Sequence, residues 1–112
     1  MEERARRLDN RRVTDLRGIT AATDLYWTRH SELPASLVGL SAEPGVQIST
    51  ADPESSETYG YQLLDSVQYE LCASFDLESE EIVRDPEKNL WAHGPGQQCF
   101  QLEAEEIERN EG

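Results

Sequence analysis

The chain has no apolar run of 18 residues, so the sequence offers no membrane-spanning helix. Its start, Met1-Glu2-Glu3-Arg4, lacks the apolar core of a signal peptide. The expectation is therefore either a cytosolic protein or a piece whose targeting segment has been removed. Cysteine and histidine are scarce, at two each. There is no Gly-rich phosphate loop and no H-E-x-x-H pair on which a zinc enzyme could be built. Glu78-Ser79-Glu80-Glu81 and the run Glu103 to Glu106 lack the Asp/Asn/Gly alternation of a calcium loop. His93 lies near Trp91 and Cys99 but has no further ligands at usable spacing, and reads as a turn histidine beside a packed tryptophan. No spacing singles out a nucleophile with its base. The reading assigns no catalytic, cofactor-binding or metal residue.

Positive charge is also missing from most of the chain. Residues 1–30 hold seven Arg against five acidic groups, whereas residues 31–112 hold three basic and eighteen acidic groups. The whole carries a formal charge of −13. Such a surface repels phosphate, which argues against nucleic acid or anionic lipid as a partner. Solubility explains the charge in the simplest way. Mimicry of nucleic acid by an acidic cytosolic protein is the remotest reading.

What is present fits one small domain. A length of 112 residues supports a single modest core. A mean hydropathy of −0.70 is low for a compact domain, which points to poorly packed termini. Residues 2 to about 30 read as one helix. Leu8, Arg12, Leu16, Ile19, Thr23 and Tyr26 recur at three- and four-residue steps. The first dozen residues have little to bury and are expected as a solvated extension. Glu3 is expected to meet Arg6 or Arg7 there, and Asp15 to meet Arg11 or Arg12. Pro34 should end the helix near His30 and open a short second helix with Leu37, Val38 and Leu40 on its apolar side.

Strands follow. Val46 and Ile48 alternate with polar residues in a candidate short strand. Residues 49–57, with Asp52-Pro53, read as a loop. Tyr59, Tyr61 and Leu63 form one strand. After a turn at Asp65-Ser66, Val67, Tyr69, Leu71, Ala73 and Phe75 form the next, giving a hairpin with one buried face. Residues 76–90 are an acidic loop with Asp85-Pro86. A third strand runs from Gln98 to Leu102, with Phe100 and Leu102 inward, after a corner at Gly94-Pro95-Gly96. The acidic tail from residue 103 should fray. The predicted core is Leu16, Ile19, Tyr26, Leu37, Tyr61, Leu71, Phe75 and Phe100.

Cys72 and Cys99 both have the parity opposite to the apolar positions of their strands. If those strands are antiparallel neighbours, both sulfurs project from one sheet face, and a disulfide is expected. It implies an oxidising compartment. Two separate buried thiols are the alternative.

The order Asp9-x-x-Arg12-x-x-Asp15-Leu16-x-x-Ile19, Ala22, Tyr26-Trp27, Leu33-Pro34, Leu37 and Leu40 resembles the stretch after the membrane helix of type IV pilins and type II secretion pseudopilins. Asp52-Pro53 leading to Tyr59-Gly60-Tyr61 is similar to the segment before the pseudopilin sheet. The resemblance covers residues 9–63. An apolar N-terminal helix with its processing site and the terminal calcium loop are absent from this sequence. Tyr69-x-Leu71-Cys72-Ala73-x-Phe75, with Trp91-x-His93-x-x-Gly96-x-x-Cys99-Phe100, looks more like the soluble tails of uncharacterised bacterial membrane-anchored proteins. The resemblance implies an α+β, pilin-like fold, a long N-terminal helix on three or four antiparallel strands. It implies a non-catalytic domain in the periplasm or outside the cell, tethered by a missing N-terminal segment, with protein partners. A ligand- or protein-binding module that uses the exposed sheet face or the 76–97 loop is the alternative.

Overall fold

The computed structural model describes residues 2–77, 91 and 93–105. Helix α1 runs Glu2–His30 and α2 runs Leu37–Ser41. Strands β1 (Gly60–Leu63), β2 (Gln68–Phe75) and β3 (Gly96–Glu103) are the other elements among the described residues. The fold is α+β, with a three-stranded antiparallel sheet in the order β1-β2-β3.

Helix α1 owes its length to a run without proline and to an inward face at helical spacing. Asp9, Arg12, Leu16, Ile19, Ala22 and Thr23 are all buried along it. Its 29 residues span about 43 Å at 1.5 Å per residue, matching the 44 Å long axis of the molecule. The helix ends where expected. Ser31 takes a left-handed conformation (φ 58°), and its N–H closes the last turn on the Trp27 carbonyl at 2.7 Å.

The sheet lies under α1 through its alternating face. Tyr69, Leu71, Ala73 and Phe75 of β2 and Phe100 and Leu102 of β3 are buried, and the residues between them are exposed or half-buried. These side chains join Leu16, Ile19, Leu37, Leu40, Tyr59 and Trp91 in one core. Tyr26 and Tyr61 pack at its rim, so the predicted core is assembled as one cluster. The hairpin turn is set by Asp65, whose Oδ1 accepts the Val67 and Gln68 N–H groups at 2.8 and 2.7 Å.

Several expectations are corrected. Asp9 and Arg12, expected in a solvated extension, are 1% and 3% exposed, because each meets partners from distant loops. Pro34 is buried ahead of α2 and not in its first turn. Ser36 caps that helix instead, its hydroxyl accepting the Gly39 N–H at 3.1 Å. Val38 is 74% exposed, since α2 is a turn and a half long and turns only Leu37 and Leu40 inward. Val46 and Ile48 pack against the core from irregular backbone, so no fourth strand forms there. Leu63, expected on the core face, is 46% exposed at the end of the short edge strand. Residue 103 belongs to β3, and Ala104 is buried, its N–H bonded to the Val67 carbonyl at 2.8 Å. The predicted tail from residue 106 on, and the acidic loop with Glu78-Ser79-Glu80-Glu81 and Asp85-Pro86, lie outside the described residues.

Candidate functional site

Two places concentrate chemistry. The first is a buried ionic cluster centred on Arg12. The side chain stands on the inward face of α1, where an arginine is stable only if carboxylates meet it. Its guanidinium is bidentate on Asp52, with Nε donating to Oδ2 at 2.6 Å and Nη2 to Oδ1 at 3.2 Å. Nη1 donates to Asp9 Oδ1 at 2.7 Å and to Asp76 Oδ2 at 3.1 Å. Glu54 Oε1 lies 3.5 Å from Nη2. The cluster draws together α1, the Asp52-Pro53 loop and the residue after β2.

The carboxylates have backbone duties as well. Asp9 accepts the N–H groups of Asp76 and Leu77 at 2.9 and 2.8 Å, anchoring the exit of β2 on the helix. Asp52 Oδ1 accepts the N–H groups of Glu54 and Ser55 at 2.8 and 3.1 Å, a turn that Pro53 fixes from within. Next to the cluster, the Tyr59 hydroxyl donates to Asp15 Oδ2 at 2.7 Å. The helix-surface pairing expected for Asp15 with Arg11 or Arg12 is thus replaced by a tertiary contact with Tyr59.

The electrostatics follow from this packing. Burial alone would lower the pKa of Arg12. Its hydrogen bonds to Asp52, Asp76 and Asp9 outweigh that and raise it, so the guanidinium is permanently charged. Burial alone would raise the pKa of Asp52. The Arg12 contact and the two backbone donors more than offset it and hold the carboxyl below the usual range. Burial, and then the carboxylate of Asp15, push the Tyr59 phenol well above its ordinary value. Every polar group here serves another part of the protein. The cluster acts as a rivet.

The second place is the solvent face of the sheet. Cys72 and Cys99 stand directly opposite each other in the β2–β3 register, with Cα atoms 4.1 Å apart, and are joined by a disulfide. The parity argument thus placed both sulfurs on the outer face. In the same row, Gly60 of β1 pairs with Cys72. A Cβ at residue 60 would lie 3.0 Å from the Cys72 Cβ, a tight contact that the glycine avoids. Glu70 stands two residues before Cys72 on the same face, with Oε1 3.7 Å from its sulfur. A cleft of about 210 Å³ opens beside this row, lined by Ser55, Glu57, Thr58, Gly60, Cys72 and Gln97 among others.

His93 and Trp91 are both buried. His93 stacks on Phe75 with ring centroids 3.7 Å apart, and Trp91 meets Phe100 edge-on at 5.1 Å. His30, at the other end of the molecule, contacts the Glu43 carboxylate at 2.9 Å on the surface. Sequence reasoning missed the Arg12–Asp52 contact and the placement of Glu70. The signal for the first was present: an arginine on an apolar helix stripe needs a buried acid, and Asp52-Pro53 was a stiff loop with an unassigned carboxylate. No family model matches the chain, and it matches no curated protein and no solved structure. Among the described residues, no helix is long and apolar enough to cross a membrane.

Proposed function

We propose that this chain is a non-catalytic, pilin-like domain of a membrane-anchored bacterial protein. It resides outside the cytoplasm and serves a structural or assembly role. The observation that carries the reading is the contact between Arg12 and Asp52. The two separate halves of the sequence resemblance, the helical Asp9-x-x-Arg12-x-x-Asp15 and the downstream Asp52-Pro53 with Tyr59, meet as one buried unit. A motif that is spent on joining a long helix to a sheet serves architecture. The Cys72–Cys99 disulfide supports the oxidising address.

Fractionation of cells producing the full gene product, with thiols trapped by an alkylating agent at lysis, tests the proposal. The expected result is membrane-associated protein, open to protease from the extracytoplasmic side, with neither cysteine alkylated before reduction. A cytoplasmic protein with two alkylated cysteines overturns it.

The cleft beside Gly60 and Cys72 favours a second reading, a module that binds a small polar ligand or a peptide on the outer sheet face. Chemical-shift changes confined to Ser55, Glu57, Thr58 and Gln97 on adding periplasmic extract would favour it over the structural role.

A further inference from the structure

The same outer row carries an inference that is independent of the proposed address. We propose that reduction of the Cys72–Cys99 disulfide by a dithiol converts the row into a binding site for one thiophilic metal ion, zinc in the first instance, with Cys72, Cys99 and Glu70 as its ligands. One donor atom from each of the three residues lies within 4.8 Å of the others.

The backbone already has the needed geometry. A tetrahedral zinc with two thiolates at about 2.3 Å holds the sulfurs about 3.8 Å apart. Cys72 and Cys99 face each other across adjacent strands with Cα atoms 4.1 Å apart, so side-chain rotation supplies that separation without moving either strand. Glu70 shares the face of Cys72 by the two-residue period of the strand, and its carboxylate already lies at the sulfur. Three protein ligands leave the fourth position open to water on the solvent side.

The sheet does not depend on the sulfurs for its shape. Both lie on the face away from the core, while Tyr69, Leu71, Phe100 and Leu102 hold the β2–β3 pair from the other face. The eight-residue β2–β3 register extends three or four pairs to either side of the cysteine row. Opening the bond therefore leaves two thiols held in place.

The chemistry balances through thiol–disulfide exchange. One thiolate of the dithiol attacks the exposed Cys99 sulfur. The S–S bond breaks, and its electron pair leaves on Cys72 sulfur, which takes up a proton. The second thiol of the reductant then attacks the mixed disulfide, releases Cys99 as a thiol and departs as a disulfide. Zinc binding expels the two thiol protons to solvent. In the oxidised chain both sulfurs are bonded to each other, and the expectation of no metal residue applies to that state.

The test is anaerobic titration of the full chain with zinc, after reduction by a phosphine that is itself removed, with cobalt(II) as the spectroscopic probe. Reduced protein should bind one ion per chain and give a thiolate-to-cobalt charge-transfer band typical of tetrahedral coordination. The oxidised protein should give neither. Glu70→Gln should keep the band and weaken zinc binding about tenfold or more, as removal of a ligand costs at least what loss of its supporting shell does. Cys72→Ser should abolish the band. Far-UV circular dichroism of the reduced, metal-free protein should match that of the oxidised protein. Absence of stoichiometric binding, an unchanged affinity in Glu70→Gln, or loss of the sheet on reduction would each overturn the proposal.

Discussion

Arg12 and Asp52 are forty positions apart and meet at 2.6 Å inside the protein, with side chains 4% and 9% exposed. The contact joins the N-terminal half of the helix to the Asp52-Pro53 loop, which also reaches Arg4 of the helix through Glu54 at 3.9 Å. Asp9 then carries the connection to the end of β2 through two backbone N–H groups. Removing the cation leaves carboxylates in a site built to exclude water. Arg12→Met should therefore destabilise the fold by about 3–5 kcal/mol, the cost of breaking a buried pair from one side. Urea unfolding followed by circular dichroism measures it. A loss under about 1 kcal/mol would mean that the cluster is hydrated and contributes little.

Acid should weaken the same contact in a defined direction. The folded-state pKa of Asp52 is depressed below its reference of 3.8. A depressed carboxylate stabilises the fold at any pH above the unfolded value, and that contribution is lost as pH falls through the folded one. Asp24 works against it. Burial raises its pKa, so its carboxylate is less favourable folded than unfolded, and protonation relieves the fold on acidification. Urea midpoints of the parent and of Asp52→Asn, from pH 6 down to pH 2, separate the two effects. The gap between parent and variant should be largest above about pH 5 and shrink below about pH 4. A gap independent of pH would remove Asp52 from the acid response.

The cysteine pair makes a prediction about stability in the oxidised protein. The bond closes a loop with a sequence separation of 27 between strands that are already neighbours. Its main effect is therefore on the unfolded chain, where closing a loop of that size is worth about 3–4 kcal/mol. The double variant Cys72→Ala/Cys99→Ala should lose that amount in urea unfolding while keeping its far-UV spectrum. Unchanged stability would mean that the unfolded ensemble already holds β2 and β3 together.

Much of this was legible because period and parity are local. Helix α1 could be read from three- and four-residue steps and its end from Pro34, and β2 from strict alternation. The parity of Cys72 and Cys99 was enough to put both on one face. The failures came where a residue's place depends on distant partners. Arg12 and Asp9 read as a solvated face because charge usually marks one. Their burial requires Asp52 and the N–H groups of Asp76 and Leu77, whose proximity no local pattern encodes. Val46 and Ile48 alternate as a strand does, yet they have no neighbouring strand to pair with, and alternation alone cannot supply one. Leu63 has the parity of a core residue but ends the short edge strand, none of whose residues is fully buried. Glu70 carries no signal of its own, since its proximity to a sulfur follows from a two-residue step that every exposed strand residue shares.

The core prediction rests on the middle of α1. Ile19 has no exposed surface and sits one helical turn from Leu16 and Thr23, in the cluster with Tyr69 and Leu71 of the central strand. Truncation to alanine removes three carbons from a place that the helix and sheet backbones hold apart, so collapse around the gap is limited. Ile19→Ala should cost about 2–4 kcal/mol through lost transfer energy and the residual cavity. The higher helix propensity of alanine returns a few tenths of a kcal/mol at most. Arg7→Ala, on the exposed face of the same helix, provides the control and should change stability by about 0.5 kcal/mol or less. Comparable losses at the two positions would put the packed face of α1 elsewhere. A small loss at residue 19 alone would mean that the helix shifts to close the gap, which an altered Arg12–Asp52 contact in the structure of the variant would reveal.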